Sequence, residues 1–300
     1  MSGSALDQLV ATVQVEAIGP DRFRGVGSHH DGVDATYGGH FLGQATSAAL
    51  ATVDDDRRLH SLHGYFLRAG RPGEPYVLEV ERLRDGRSFC TRRVRVFQNQ
   101  GKTQFELLAS CARPEDGPQK AAAPPVDLDR LPRPEDLPNQ RELMASLDPL
   151  PLPEDWALRD YGLDIRTVNA PWVPEGPSAD GGIRLWVKAA GPLPADDHLQ
   201  AAIMAYQSDE SIADNIAIPW GATWGSPGVV FVSLDHSIWF HRPFDLNQWL
   251  FIDQRPITVG HGRGLATATV WNTDGELVVS FTQEALLRLG PDFLDDEVGP

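Results

Sequence analysis

The second half of this chain repeats the first. "SLHGYFLRAGRPGEPYVLEV" (61–80) lines up, with small shifts, with "SLDHSIWFHRPFDLNQWLFI" (233–252), and "GRSF" (86–89) with "GRGL" (262–265). "FQNQGKTQFELLASC" (97–111) aligns with "WNTDGELVVSFTQEA" (271–285), both carrying a polar, Gly-containing hairpin turn. The separation stays near 172–176 residues. A period that long is the duplication of a whole domain, not the short repeat of a solenoid. It restricts the chain to two copies of one architecture.

Both copies read in the same order. In the first, "GGHFLGQATSAALATV" (38–53) is apolar or small nearly all round, the pattern of a buried helix. Strand-like runs follow at 60–67, 76–83, 89–98 and 103–111. In "YVLEVERL" Tyr76, Leu78 and Val80 fall on one face and Glu79 and Glu81 on the other. Upstream, "LVATVQVEAIGPDRFRGVG" (9–27) alternates and turns at Gly-Pro-Asp, which predicts two short strands. The second copy opens with strand-like segments at 161–168 and 181–191, continues with the small-residue helix "DHLQAAIMAYQSD" (197–209), and ends in four more strand-like runs. The fold class is α+β, two antiparallel sheets each wrapped around one central buried helix. Ten prolines between Pro114 and Pro153 exclude long helices and central strands there. The expected division is a first domain over 1–112, a proline-rich acidic linker over 113–155 and a second domain over 156–300.

A net charge of −16 argues against nucleic acid and anionic membrane surfaces as partners, which need clustered cations. The longest apolar runs fall short of the ~18 residues that span a bilayer, and "MSGSALDQLV" lacks the basic and apolar regions of a secretory signal. Cys90 and Cys111 sit in strand-like segments without metal-type spacing, so buried thiols in a reducing cytoplasm are expected, with no metal.

Six ordered segments carry a resemblance: "GGHFLGQA", "LHGYFLRAGRPGEPY", "RLRDGRSFCTRRV", "YQSDE", "LDHSIWFHRPF" and "DGELVVSFTQEALLR". Together they resemble the acyl-CoA thioesterase II family, the TesB-like bacterial and peroxisomal enzymes, and span nearly all of 20–289 outside the linker. The resemblance implies a double hotdog fold, hydrolysis of fatty acyl-CoA to free acid and CoA, no cofactor, and a homodimer or homotetramer. It implies an Asp, a hydroxyl residue and a Gln holding the attacking water. By motif these are Asp209 in "YQSDE", Ser233 in "VSLDHS" and Gln283 in "SFTQEA". In the first copy it points to Gly39 and Gln44 of "GGHFLGQ" as substrate-binding positions.

The chemistry needs these residue types. A carboxylate within reach of a water takes its proton during attack on the thioester carbonyl, worth roughly 10²–10⁴-fold. A hydroxyl and an amide orient the water's lone pair. Glu210, next to Asp209, is expected to point elsewhere. "RLRDGRSFCTRRVRV" (82–96) holds six arginines and one acid. It reads either as a solvated sheet face or as a site for the CoA phosphates, with Arg87 and Arg92 the candidate ligands. "SLDH" resembles a Ser/Asp/His set, but no Gly-x-Ser-x-Gly elbow accompanies it and neighbours on a strand point to opposite faces. His63, His236 and His241 read as partly buried hydrogen-bonding histidines rather than bases. Two other readings are open: a non-catalytic acyl-CoA-binding protein, and a hotdog enoyl-thioester hydratase or dehydratase. The latter is disfavoured because no His follows Asp209.

Overall fold

The computed structural model describes residues 3–30, 33–98, 101–148, 154, 158–173, 176–222 and 226–293. The first half holds helices α1 (Ala5–Val13) and α2 (Gly38–Leu50) and strands β1 (Glu16–Gly19), β2 (Arg22–Val26), β3 (His29–His30), β4 (Val33–Thr36), β5 (Arg58–Phe66), β6 (Pro75–Asp85), β7 (Phe89–Gln98) and β8 (Lys102–Ala112). A short helix α3 (Gln140–Ala145) precedes the second half. That half holds β9 (Leu163–Asn169), β10 (Arg184–Ala189), helix α4 (Asp197–Gln207), β11 (Val229–Phe240), β12 (Leu250–Gly260), β13 (Arg263–Asn272) and β14 (Leu277–Leu289).

Twelve strands form one antiparallel sheet in the order β1-β2-β6-β7-β8-β5-β11-β14-β13-β12-β10-β9. The two expected sheets are joined edge to edge, because β5 pairs with β11 from Tyr65↔Asp235 to Ser61↔Trp239. Pairing the two inner edges leaves neither exposed. His63 Nδ1 and Ser237 Oγ meet across this seam at 2.9 Å. The duplication extends to the irregularities. Register shifts at His60 and Leu83 in the first half recur at Leu234 and Ile257 in the second.

The sheet curls around α2 and α4, which run antiparallel against each other. Nearly every α2 side chain is buried, Phe41, Leu42 and Ala45 among them, and so are Ala201 through Ala205 of α4. Two helices this apolar have no face for water, which is why each sits inside the sheet rather than on it.

Residues 9–13 are the last turn of α1, not the strand expected. Ser4 accepts from the Asp7 N–H and Asp7 accepts from the Ser4 N–H, a capping box that starts the helix. Leu6, Leu9 and Val13 fall on its buried face. The proline-rich segment is also more ordered in its packing than a free linker. Val126, Leu128, Leu131 and Leu137 pack on an aromatic cluster of Trp186, Phe251 and Trp271, and the Trp249 indole N–H donates to Glu135 at 2.8 Å.

Arg92 secures the far end of α2. Only 2% exposed, it donates to the Thr52 hydroxyl and carbonyl, the Arg84 and Thr91 carbonyls and the Asp85 carboxylate. All five guanidinium donors are engaged. Arg92→Leu leaves the buried Thr52 hydroxyl and carbonyl without this partner and removes the pair with Asp85, and it should lower unfolding free energy by roughly 3 kcal/mol in a urea titration. An unchanged midpoint would contradict this role.

Candidate active site

Asp209 stands two residues beyond the end of α4, on the turn after the capping residue Ser208. It is 9% exposed. The antiparallel helix α2 brings its own N-terminus to the same place. A Cβ on Gly38 would lie 2.6 Å from Asp209 Oδ2. A Cβ on Gly39 would lie 2.3 Å from the Tyr37 ring and 2.5 Å from the Tyr206 carbonyl oxygen, so only glycine fits. The carboxylate therefore meets the Gly39 N–H and the positive end of a helix. Burial nonetheless dominates and pushes the Asp209 pKa up to about 7. The facing Gln283 amide pulls it down, the Glu210 charge pushes it up, and the Gly39 N–H pulls it down. Among the described residues, Asp209 Oδ1 is buried and accepts no hydrogen bond.

Ser233 and Gln283 come from the neighbouring strands β11 and β14. Simple alternation would turn Ser233 and His236 to opposite faces of β11. The register shift at Leu234 resets the alternation, so both face inward. His236 sits opposite Gln283, and the Gln283 amide N–H donates to Ser233 Oγ at 2.9 Å. Gln283 Oε1 faces His236 Nδ1 in a short hydrogen bond, and His236 Nε2 lies 2.9 Å from Ser208 Oγ. Ser233 and His236 of "SLDH" thus share a face that simple alternation would deny them, but they meet at Gln283 and form no triad with Asp235.

Asp209, Ser233 and Gln283 share one cavity of about 580 Å³. Phe41, Phe66, Ile165, Trp172, Ile183 and Leu185 make its wall largely apolar. Gln140 of α3 reaches the same cavity, so the proline-rich segment helps build it. Glu210 is also among the residues that line it, with its carboxylate on Arg159. It is ion-paired to Arg159 at 3.1 Å, and burial raises its pKa. The Arg159 guanidinium lies 4.0 Å over the Tyr161 ring. No sequence signal joins Arg159 to Glu210, because the pair is made only when the chain after the proline-rich segment folds back under α4.

The remaining candidates lie elsewhere. Gln44 is buried on α2 and donates to the Thr12 and Val26 carbonyls, tying α1 and β2 to the helix. Arg87 is exposed in the turn between β6 and β7. Arg92 belongs to the opposite end of α2 from Asp209, a helix about 20 Å long by its 13 residues, and it has no donor left for a phosphate. Its place is informative. Register matches Leu59 to Ser233, Leu62 to His236, Ala109 to Gln283 and Arg92 to Ala266. Thr52 stands two residues beyond α2 as Asp209 does beyond α4. The first half therefore carries Thr, Leu and Ala at the three positions, with the Arg92 side chain bound to Thr52. Among the described residues no group of three His, Cys, Asp or Glu side chains is placed to hold a metal ion, and no helix is long and apolar enough to cross a membrane.

Comparison with known proteins agrees in both halves. Residues 27–112 match the family described as acyl-CoA thioesterase N-terminal domain, and residues 127–287 the acyl-CoA thioesterase C-terminal domain. The chain is 33% identical to acyl-CoA thioesterase 2 of Haemophilus influenzae, over 94% of this chain and 98% of that protein. It is 33% identical to human acyl-coenzyme A thioesterase 8, over 96% and 92%. A crystal structure of acyl-CoA thioesterase II TesB2 from Mycobacterium marinum superposes with a TM-score of 0.74 at 31% identity, covering 94% of this chain and 99% of that one. A hot dog fold protein from Alicyclobacillus acidocaldarius superposes with a TM-score of 0.74 at 19% identity, which speaks for the fold alone. A duplicated hotdog, matched by both domain families and by relatives over nearly its full length, belongs to the TesB-like acyl-CoA thioesterase II family.

Proposed function

We propose that this protein hydrolyses fatty acyl-CoA thioesters to free acid and CoA, with Asp209 as general base and Ser233 and Gln283 holding the attacking water. One observation carries the reading: a buried carboxylate with a pKa of about 7 and an uncommitted oxygen, at the wall of an apolar cavity it shares with Ser233 and Gln283. A base titrating near neutral pH is ionised enough to act and basic enough to take a proton. Water attacks the thioester carbonyl carbon as its proton passes to Asp209. The tetrahedral intermediate then expels the CoA sulfur, which takes that proton. The acyl chain lies along the apolar wall, where burial favours it by roughly 25 cal/mol per Å².

Gly39 serves this reading through its N–H on Asp209. Gln44 supports the helix that carries it, and exposed Arg87 is the arginine left to meet the CoA phosphates. The chain divides into a first hotdog (1–112), a connecting segment (113–155) and a second hotdog (156–300), of which 294–300 lie outside the described residues. A homodimer or homotetramer, acting in the cytoplasm, completes the reading. Light scattering at the mass of one chain would refute the assembly and leave the chemistry standing.

The wild-type chain should release thiol from acyl-CoAs, with rate depending on chain length; no release with any acyl-CoA would refute the function. Asp209→Asn should lower kcat by about 10²-fold or more with modest change in KM. Ser233→Ala and Gln283→Ala should each cost on the order of 10-fold, and less than the sum when combined, because all three serve one water. Wild-type activity in folded Asp209→Asn would exclude Asp209 as the base.

The pH dependence has a defined sign. The active form is ionised, so kcat/KM should rise with pH and level off above about pH 7. Glu210→Gln removes a negative charge beside Asp209 and should move this limb to lower pH. A limb unmoved by that change would count against the assignment. Stability runs the other way. Between about pH 4, where the unfolded carboxyl ionises, and about pH 7, the folded chain holds a proton that the unfolded chain has lost. Stability therefore falls with rising pH across that window, and above it Asp209→Asn should melt at a higher temperature than the wild type.

A further inference from the structure

Gln283 can do its work in only one of two orientations. Its amide has a donor end and an acceptor end, and rotation by half a turn exchanges them. With the NH₂ toward Ser233 and Asp209, it donates to Ser233 Oγ at 2.9 Å and turns its positive end to the carboxylate. Reversed, its oxygen faces a carboxylate, and acceptor meets acceptor. The strand pairing puts one group behind the amide that can tell the ends apart. His236 is fully buried, opposite Gln283 on β11, with its ring stacked on Phe281 at 5.8 Å. Its Nδ1 faces Gln283 Oε1 and its Nε2 lies 2.9 Å from Ser208 Oγ.

From this geometry we propose that His236 is a positioning residue for thioester hydrolysis: its Nδ1–H, set by the Ser208 hydroxyl on Nε2, holds the Gln283 amide with its donor end toward the attacking water. The inference rests on the function proposed above. The proton count is consistent. Ser208 has one hydroxyl proton and two acceptors in reach, the Ala205 carbonyl and His236 Nε2, both at 2.9 Å. Directing it to Nε2 leaves Nδ1 as the protonated nitrogen, the donor that Gln283 Oε1 needs. The other tautomer would send the Ser208 proton to Ala205, present a bare Nδ1 and draw the Gln283 NH₂ away from Ser233. Burial lowers the His236 pKa to about 4, so the neutral ring is the form present at neutral pH. Ser208 precedes Asp209 in sequence, so one turn of chain carries both the base and the group that sets the tautomer.

The first half of the molecule supplies the test variant. Leu62 occupies the register position of His236, fully buried and facing Ala109, so this fold accommodates leucine there. His236→Leu should lower kcat on the order of 10-fold with KM little changed, because the loss falls on water orientation. His236→Asn, whose side-chain NH₂ can stand in for Nδ1–H, should recover most of it. In a Gln283→Ala background His236→Leu should cost nothing further, because His236 acts only through Gln283. Nitrogen NMR of the wild-type protein should show His236 protonated at Nδ1. The Nε2–H tautomer overturns the proposal, even if His236→Leu fails to fold. So does an unchanged kcat in His236→Leu, an equal loss in His236→Leu and His236→Asn, or a full additive loss in the Gln283→Ala background. A wild-type chain that releases no thiol refutes the function itself, whereas any of these results in an active enzyme refutes only the role of His236.

Discussion

The geometry of the candidate site depends on how closely α2 approaches α4. Gly39 and Gly43 allow it. A Cβ on Gly43 would meet the Ala202 carbonyl oxygen and Tyr206 Cβ at 3.2 Å each, and one on Gly39 would collide with the Tyr206 carbonyl. With side chains removed from that line, the two helices pack backbone against backbone inside the curled sheet. The antiparallel arrangement then sets the N-terminus of α2 against the residues just past α4. Asp209 emerges into that junction, dry enough for its pKa to rise but facing an amide N–H that keeps its ionised form accessible. A wider helix spacing would admit water and return the carboxylate to an ordinary acid.

The duplication makes two such junctions and the sequence equips one. At the other, Asp196 accepts from the His198 and Leu199 N–H groups and caps α4 itself, so that helix end offers little to an anion. Thr52 stands in the carboxylate position and Arg92 fills the space beside it. The same strand irregularities persist on both sides, so at the two junctions the difference lies in the side chains. A satisfied buried arginine occupies one helix end; a buried, partly compensated carboxylate with a raised pKa occupies the other.

The proline-rich segment belongs to this arrangement as well. Proline keeps it out of the sheet, and its apolar residues cover Trp186, Phe251 and Trp271 on the outside of the second half. It ends in α3, where Gln140 accepts from the Thr167 hydroxyl at 3.0 Å beside the cavity. A segment that reads as a spacer thus closes an aromatic surface and contributes to the cavity wall.

Much of this was legible in the residues. The long repeat dictated two copies of one domain, the small-residue helices had to be buried, and alternation along the strands assigned their faces, because each of these follows from local periodicity. The motifs singled out Asp209, Ser233 and Gln283, which do line one cavity. Local pattern failed where a single residue changes the count: Ser4 and Asp7 cap a helix where alternation suggested a strand, and the register shift at Leu234 turns His236 toward Gln283. Arg92 looked like a phosphate ligand in its run of arginines, and only packing reveals that its donors are all taken. The burial of Glu210 against Arg159 and the reach of Gln140 into the cavity were likewise beyond the sequence. Pairing across dozens of residues is decided by how the sheet closes around its two helices, and no periodicity in the chain encodes that contact.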